Sequence, residues 1–223
     1  MTVVFKDLCI DTNDPRVTAD FWSPTLDLRT EPNDDTYVLR GGRPEETVWI
    51  NPVPQTKQGK VRVHLDVNLL RLAEVVDRGA RVVDDSHRWT ICVSPDGVEF
   101  CAFLRTPDEI VGHRPLYEMV VDSEDPERIC RWWAEAFGVT AEHDPAHPWW
   151  WLGGAERVGL GFGMVFVPVP EPKVSPNWIH WDVVGDAAEV LAAGATLIRR
   201  RDDEIGWDVL ADPEGNEFCV FTR

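Results

Sequence analysis

The stretch SPDGVEFCAFLR at 94–105 returns, little altered, as DPEGNEFCVFTR at 212–223. Each copy reads as a Pro-acid-Gly turn running into a strand, because glycine supplies the positive φ such a turn needs. Cys101 and Cys219 stand 118 positions apart. Upstream, VHLDV at 63–67 is matched by IHWDV at 179–183, with His64 and His180 116 apart. Further out, DTNDPR at 11–16 is matched by DSEDPER at 122–128, with Asp14 and Asp125 111 apart. Three landmarks in one order at a nearly constant offset define a duplicated unit of roughly 110 residues.

The 223 residues are therefore read as two units, 1–106 and 114–223, joined by a linker over 106–114 that Pro107, Asp108, Glu109 and Gly112 interrupt. A hydrophobic content of 43% and 27% charged residues describe a globular chain that buries a core. The net charge of −17 argues against nucleic acid and anionic membrane as partners, since both repel an acidic surface. No long apolar run marks a span or leader. Five cysteines without a CxxC pair form no disulfide framework, and a reducing cytoplasm is the expected compartment.

The hydrophobic pattern repeats with the landmarks. Val3–Thr12 alternates as a strand, Asp14-Pro15 caps a helix, and Val17, Phe21, Trp22 and Leu26 give that helix its apolar stripe. Strands are expected at 36–40, 47–52, 60–67, 89–94 and 98–104, with a helix at 69–78 stopped by Gly79. The second half repeats the order, with helices at 126–137 and 187–193. The fold class is thus α+β, built from four βαβββ modules, two per half. A βαβββ unit covers one sheet face with its helix and leaves the other bare, so two units side by side enclose a cavity. Alternation assigns the bare face. In the first half it carries Asp7, Cys9 and Asp11, then His64 and Asp66, then Glu99, Cys101 and Phe103. In the second half it carries Glu118 and Asp122, then Trp178, His180 and Asp182, then Glu217, Cys219 and Phe221.

These motifs resemble the vicinal oxygen chelate superfamily, which includes glyoxalase I, bleomycin resistance proteins and extradiol dioxygenases. The likeness rests on CIDTNDPR and VVDSEDPE, on VHLDV and IHWDV, and on SPDGVEFC and DPEGNEFC, and it spans nearly the whole chain. It implies two tandem glyoxalase-like domains. In metal-using members a divalent ion (zinc, manganese, nickel or iron) is held by His or Gln on the first strand, His on a later strand and Glu on the last. Carried over, those positions fall on Asp7, His64 and Cys101, and on Glu118, His180 and Cys219. The histidine is kept in both halves and the other two ligands are changed.

The resulting expectation is a cavity without metal or other cofactor that binds a small aromatic or hydrophobic molecule. Trp178, Trp150, Asp66, Cys101, Asp182 and Cys219 are the candidate lining, and the eleven tryptophans offer stacking surface. The alternative is a lyase, isomerase or dioxygenase in which His180, Glu118, His64 and Asp7 handle protons, or in which acid, imidazole and thiolate hold a metal.

Overall fold

A computed structural model describes residues 2–111 and 114–222. It contains the four modules in sequence. The first is β1 (Val4–Thr12), α1 (Pro15–Thr25), β2 (Arg29–Asn33), β3 (Thr36–Arg40) and β4 (Thr47–Pro52). The second is β5 (Val63–Leu69), α2 (Ala73–Val76), β6 (Arg81–Asp84), β7 (Thr90–Val93) and β8 (Glu99–Leu104). A short helix α3 (Pro107–Ile110) sits in the linker, capped reciprocally by Thr106 and Glu109. The third module is β9 (Leu116–Ser123), α4 (Pro126–Phe137), β10 (Thr140–His143), β11 (Trp150–Gly153) and β12 (Gly163–Pro168). The fourth is β13 (Ile179–Val184), α5 (Ala187–Ala192), β14 (Thr196–Arg199), β15 (Asp208–Ala211) and β16 (Glu217–Phe221).

Local chemistry explains the helix starts. Asp14 accepts from Val17 N–H at 3.1 Å and Asp125 from Arg128 N–H at 3.1 Å, each just before a proline in the first turn. The expected helix at 69–78 is shorter than its pattern. The apolar run after β5 makes a single helical turn, Ala73–Val76, whose N-cap is Leu72, a side chain with no acceptor to offer. Residues 155–168 divide into a 3₁₀ turn at Ala155–Val158 and β12, with Gly159 at a φ of 86° ending the turn.

The modules do not pair in the order they occur. The first sheet runs β14-β15-β16-β13-β1-β4-β3-β2, and the second runs β10-β11-β12-β9-β5-β8-β7-β6. Module one therefore shares a sheet with module four, and module two with module three. The seams are antiparallel, β1 on β13 and β5 on β9. Sequence adjacency suggested one sheet per half, and the structure corrects this: neither 1–106 nor 114–223 owns a sheet.

The two large tryptophans supply the physical reason. Helix α1 packs against β2, β3 and β4, while its Trp22, fully buried, meets Phe100 of β8 at 5.5 Å on the opposite sheet. Helix α4 packs against β10, β11 and β12, while Trp133 meets Trp181 at 5.1 Å and Phe218 at 4.9 Å. Each helix is thus covered on two sides, by its own strands and by the other module of its half. A module already packed back to back with its neighbour in sequence must find its sheet partner elsewhere. The repeated turns complete the anchors. Trp22 Nε1–H donates to Asp96 at 3.3 Å, and Trp133 Nε1–H donates to Asp212 at 3.1 Å. Gly97 and Gly215 hold those turns at φ 83° and 84°.

A cleft on the second sheet and its counterpart on the first

Alternation sets the open faces. On β1 the residues Leu8 and Ile10 enter the core, leaving Asp7, Cys9 and Asp11 on the other side. On β13, Ile179, Trp181 and Val183 enter the core and leave His180 and Asp182 beside them. The ladder aligns Asp7 with Asp182 and Cys9 with His180, and aligns Asp182 with Cys219 of β16. On the second sheet the equivalent ladder aligns Asp66 with Glu118 and Asp66 with Cys101.

The expected ligand sets are therefore regrouped. Asp7 lies with His180 and Cys219, not with His64 and Cys101; Glu118 lies with His64 and Cys101, not with His180 and Cys219. Each sheet receives one acid, one histidine and one cysteine, but from opposite halves of the chain.

The second sheet folds its open face round a cavity of about 690 Å³. Its floor is His64, Asp66, Cys101, Glu118 and Asp122. Its walls are aromatic and aliphatic: Trp89, Phe103, Tyr117, Trp149 and Trp151, with Ile91, Val120, Val165 and Val167 between them. Trp89 stacks on Phe103 at 5.8 Å, and Phe103 meets Tyr117 edge-on at 5.4 Å. Of the three consecutive tryptophans, Trp149 and Trp151 reach the cavity. Trp150, the expected one, turns to the opposite face, stacked on His143 at 4.6 Å with the Arg131 guanidinium 5.0 Å away. A strand's two-residue period forces that split. Trp178 is buried in the core cluster and does not line this cavity.

The floor is crowded with charge. His64 Nε2 lies 3.3 Å from Asp66. Burial lowers the His64 pKa, but the Asp66 carboxylate outweighs it by hydrogen bond and charge, so the imidazole titrates above its ordinary value. Burial, reinforced by the charge of Asp66, lifts Glu118 to about 7. Burial and Asp66 also push the Cys101 thiol far up, so it is a protonated thiol and a poor nucleophile. Lys60 Nζ pairs with Asp122 at 2.7 Å, and Glu99 accepts from Val61 N–H at 2.9 Å.

The first sheet carries the same framework with different fittings. Trp49 Nε1–H donates to Asp7 at 3.0 Å, and Lys6 pairs with the same carboxylate. Lys6 Nζ also sits 4.2 Å above the ring of Phe221. Asp11 and Asp182 are both raised, chiefly by burial, with His180 opposing. Lys6, Tyr117 and Trp151 were missed by the sequence reading. Lys6 and Tyr117 occupy β-bulges, each lying beside the register shift in its seam, and a bulge moves a residue off the face that strict alternation assigns it.

Among the described residues two groups of donors could hold a divalent ion: His64, Asp66 and Cys101 on one sheet, and Cys9, His180 and Asp182 on the other, the ligand atoms of each within 4.8 Å of one another. Imidazole, carboxylate and thiolate suit zinc. Asp182 Oδ1 is buried without a hydrogen-bond partner, which fits an oxygen awaiting a cation, and Asp66 Oδ1 has only the His64 imidazole 3.3 Å away. The fit is to donor type, and loading must expel the proton that the environment holds on each thiol.

This double-sheet arrangement of four βαβββ modules is the architecture of the vicinal oxygen chelate superfamily. Residues 7–103 and 118–221 each match the glyoxalase-like domain, and the chain belongs to that family as a tandem repeat. It is similar in fold to glyoxalase I from Zea mays, at 13% identity and a TM-score of 0.64, covering 98% of this chain and 92% of that one. A putative dioxygenase from Bacillus subtilis is similar at 15% identity and 0.62, covering 99% and 85%. The cppA protein from Streptococcus pneumoniae aligns at 11% identity and 0.51, covering 100% and 99%. No curated protein matches the sequence. At such identities the likeness concerns the fold alone.

Proposed function

We propose that this glyoxalase-like protein binds a small molecule with an aromatic or hydrophobic body in the cleft of the second sheet. The observation that carries the reading is the cleft itself: about 690 Å³, walled by Trp89, Trp149, Trp151, Phe103 and Tyr117, over a floor of polar groups. Pockets for small molecules have this size and this division between apolar walls and a few fixed polar groups. The family and the free, buried cysteines agree with a reducing, cytoplasmic setting. The test is a titration of hydrophobic aromatic compounds followed by tryptophan fluorescence. Binding that weakens in Trp151→Ala and not in Trp49→Ala, on the other sheet, supports the reading. Equal weakening in both variants, or no response to any compound, counts against it.

A second reading, an enzyme of the lyase, isomerase or dioxygenase kind, is favoured by one observation: His64, Asp66 and Cys101 converge on the floor of the same cleft with metal-capable donors. Elemental analysis of protein purified without chelator tests it. About one zinc, manganese, nickel or iron per chain, lost in His64→Ala, supports this reading. Metal-free protein with no turnover of bound compounds counts against it.

A further inference from the structure

The two sheets place the same pair of carboxylates across the same seam. On the first sheet Asp7 of β1 lies directly opposite Asp182 of β13, and on the second Glu118 of β9 lies directly opposite Asp66 of β5. Like charges facing each other across antiparallel strands repel, and burial makes the repulsion worse. Asp7, Asp66 and Asp182 are each 5% exposed or less. A cation or a proton must relieve such a pair.

On the first sheet the chain supplies that cation itself. Lys6, in the bulge before Asp7, brings its ammonium to the Asp7 carboxylate and rests it on the face of Phe221. On the second sheet the position equivalent to Lys6 is Tyr117, again in the bulge, and the position equivalent to Phe221 is Phe103. The aromatic seat is kept, but no ammonium comes from the bulge; the Arg105 guanidinium lies 5.2 Å from the Phe103 ring and 5.0 Å from the Tyr117 ring instead. Among the described residues Glu118 makes no ion pair, Lys60 is committed to Asp122, and Asp66 Oδ1 has only the His64 imidazole, 3.3 Å away. What occupies the space instead is the open cavity.

We propose that the second-sheet cleft takes a ligand carrying a protonated amine on a hydrophobic or aromatic body, its ammonium seated between Asp66 and Glu118, the counterparts of the Asp182 and Asp7 pair beside Lys6 on the first sheet. The inference rests on the reading of this cleft as a binding site and adds the charge of what it binds. An ammonium there gains two charge-assisted contacts while its body packs against Trp89, Trp149 and Trp151. The chain's net charge of −17 draws cations towards the mouth.

The experiment is a fluorescence titration of the full chain, freed of metal by chelator, with three probes of one shape: naphthylmethylamine, naphthylmethanol and naphthoate. The amine is expected to bind about tenfold or more tighter than the alcohol, and the carboxylate weakest. Tyr117→Lys installs the first sheet's ammonium in the second and is expected to abolish the amine's advantage while the alcohol still binds. Glu118→Gln should reduce the same advantage, which keeps the proposal testable if Tyr117→Lys does not fold. Equal affinity for amine and alcohol overturns the proposal and leaves the cleft reading standing. Failure of all three probes to bind overturns both.

Discussion

The two open faces of this protein are copies that have diverged at a handful of side chains. Both have a His at the same place on the inner strand, opposed carboxylates across the seam, and a Cys on the next strand. On the first sheet Lys6, Trp49 and Asn51 fill the space and tie off Asp7 and Asp11. On the second, Tyr117, Val165 and Val167 stand in those three positions, and a cavity of about 690 Å³ remains. The difference teaches that the framework is shared by descent and the function is set by what each copy leaves unfilled. Exchanging a lysine, an indole and an amide for a phenol and two aliphatic side chains converts a face where Asp7 and Asp11 are tied off into an aromatic cleft where Glu118 has no ion pair among the described residues.

The comparison can be broken most forcefully at its foundation. If Trp22 and Trp133 are equivalent anchors between the sheets, Trp22→Ala and Trp133→Ala should each cost about 3–5 kcal/mol in a denaturant titration. A large loss for one and a trivial loss for the other would end the claim that the halves pack alike. At the sites, Trp89→Ala and Trp151→Ala should weaken ligand binding about tenfold each, measured by calorimetry, with Trp49→Ala near wild type. Lys6→Met should destabilise the first sheet by about 1–2 kcal/mol, because it strands the buried Asp7 carboxylate beside Asp182. Tyr117→Phe, which strands no charge, should cost clearly less in the same melt.

The smallest effect concerns the thiols. All five cysteines are free and buried. Each thiol has its pKa raised, Cys92 to about 11 and Cys130 to about 12, with burial the leading cause. A pKa above the working pH keeps the thiol protonated, so the folded protein should be nearly inert to an alkylating reagent at pH 8 and should release all five on unfolding. Rapid native-state labelling of Cys101, read by mass spectrometry, would show instead an activated thiol on the cleft floor.

Much of this was legible in the sequence, and for stated reasons. The duplicated closing turn exposed the repeat. Period-two alternation put His64, Asp66 and Cys101 on one face, as the sheet has them. What stayed hidden was tertiary. No local pattern says whether neighbouring modules share a sheet or pack back to back, because both arrangements bury the same apolar face. Trp22 reaching Phe100 across the layers decides it, and that contact joins residues far apart in sequence. Lys6 and Tyr117 were hidden for a different reason: each occupies a bulge, where the parity that identifies a face slips by one. Trp150 was chosen over its neighbours because three adjacent tryptophans carry no alternation of their own, and the strand's phase is fixed only by its pairing with β12.

The most direct measurement is a crystal structure of the chain with naphthylmethylamine. The account predicts one bound molecule, in the second-sheet cleft, with its nitrogen within hydrogen-bonding distance of Glu118 and Asp66 and its ring against the tryptophans. On the first sheet, Lys6 should still rest on Phe221. A molecule bound on the first sheet, or one bound in the cleft with its nitrogen pointing out to solvent, would contradict it.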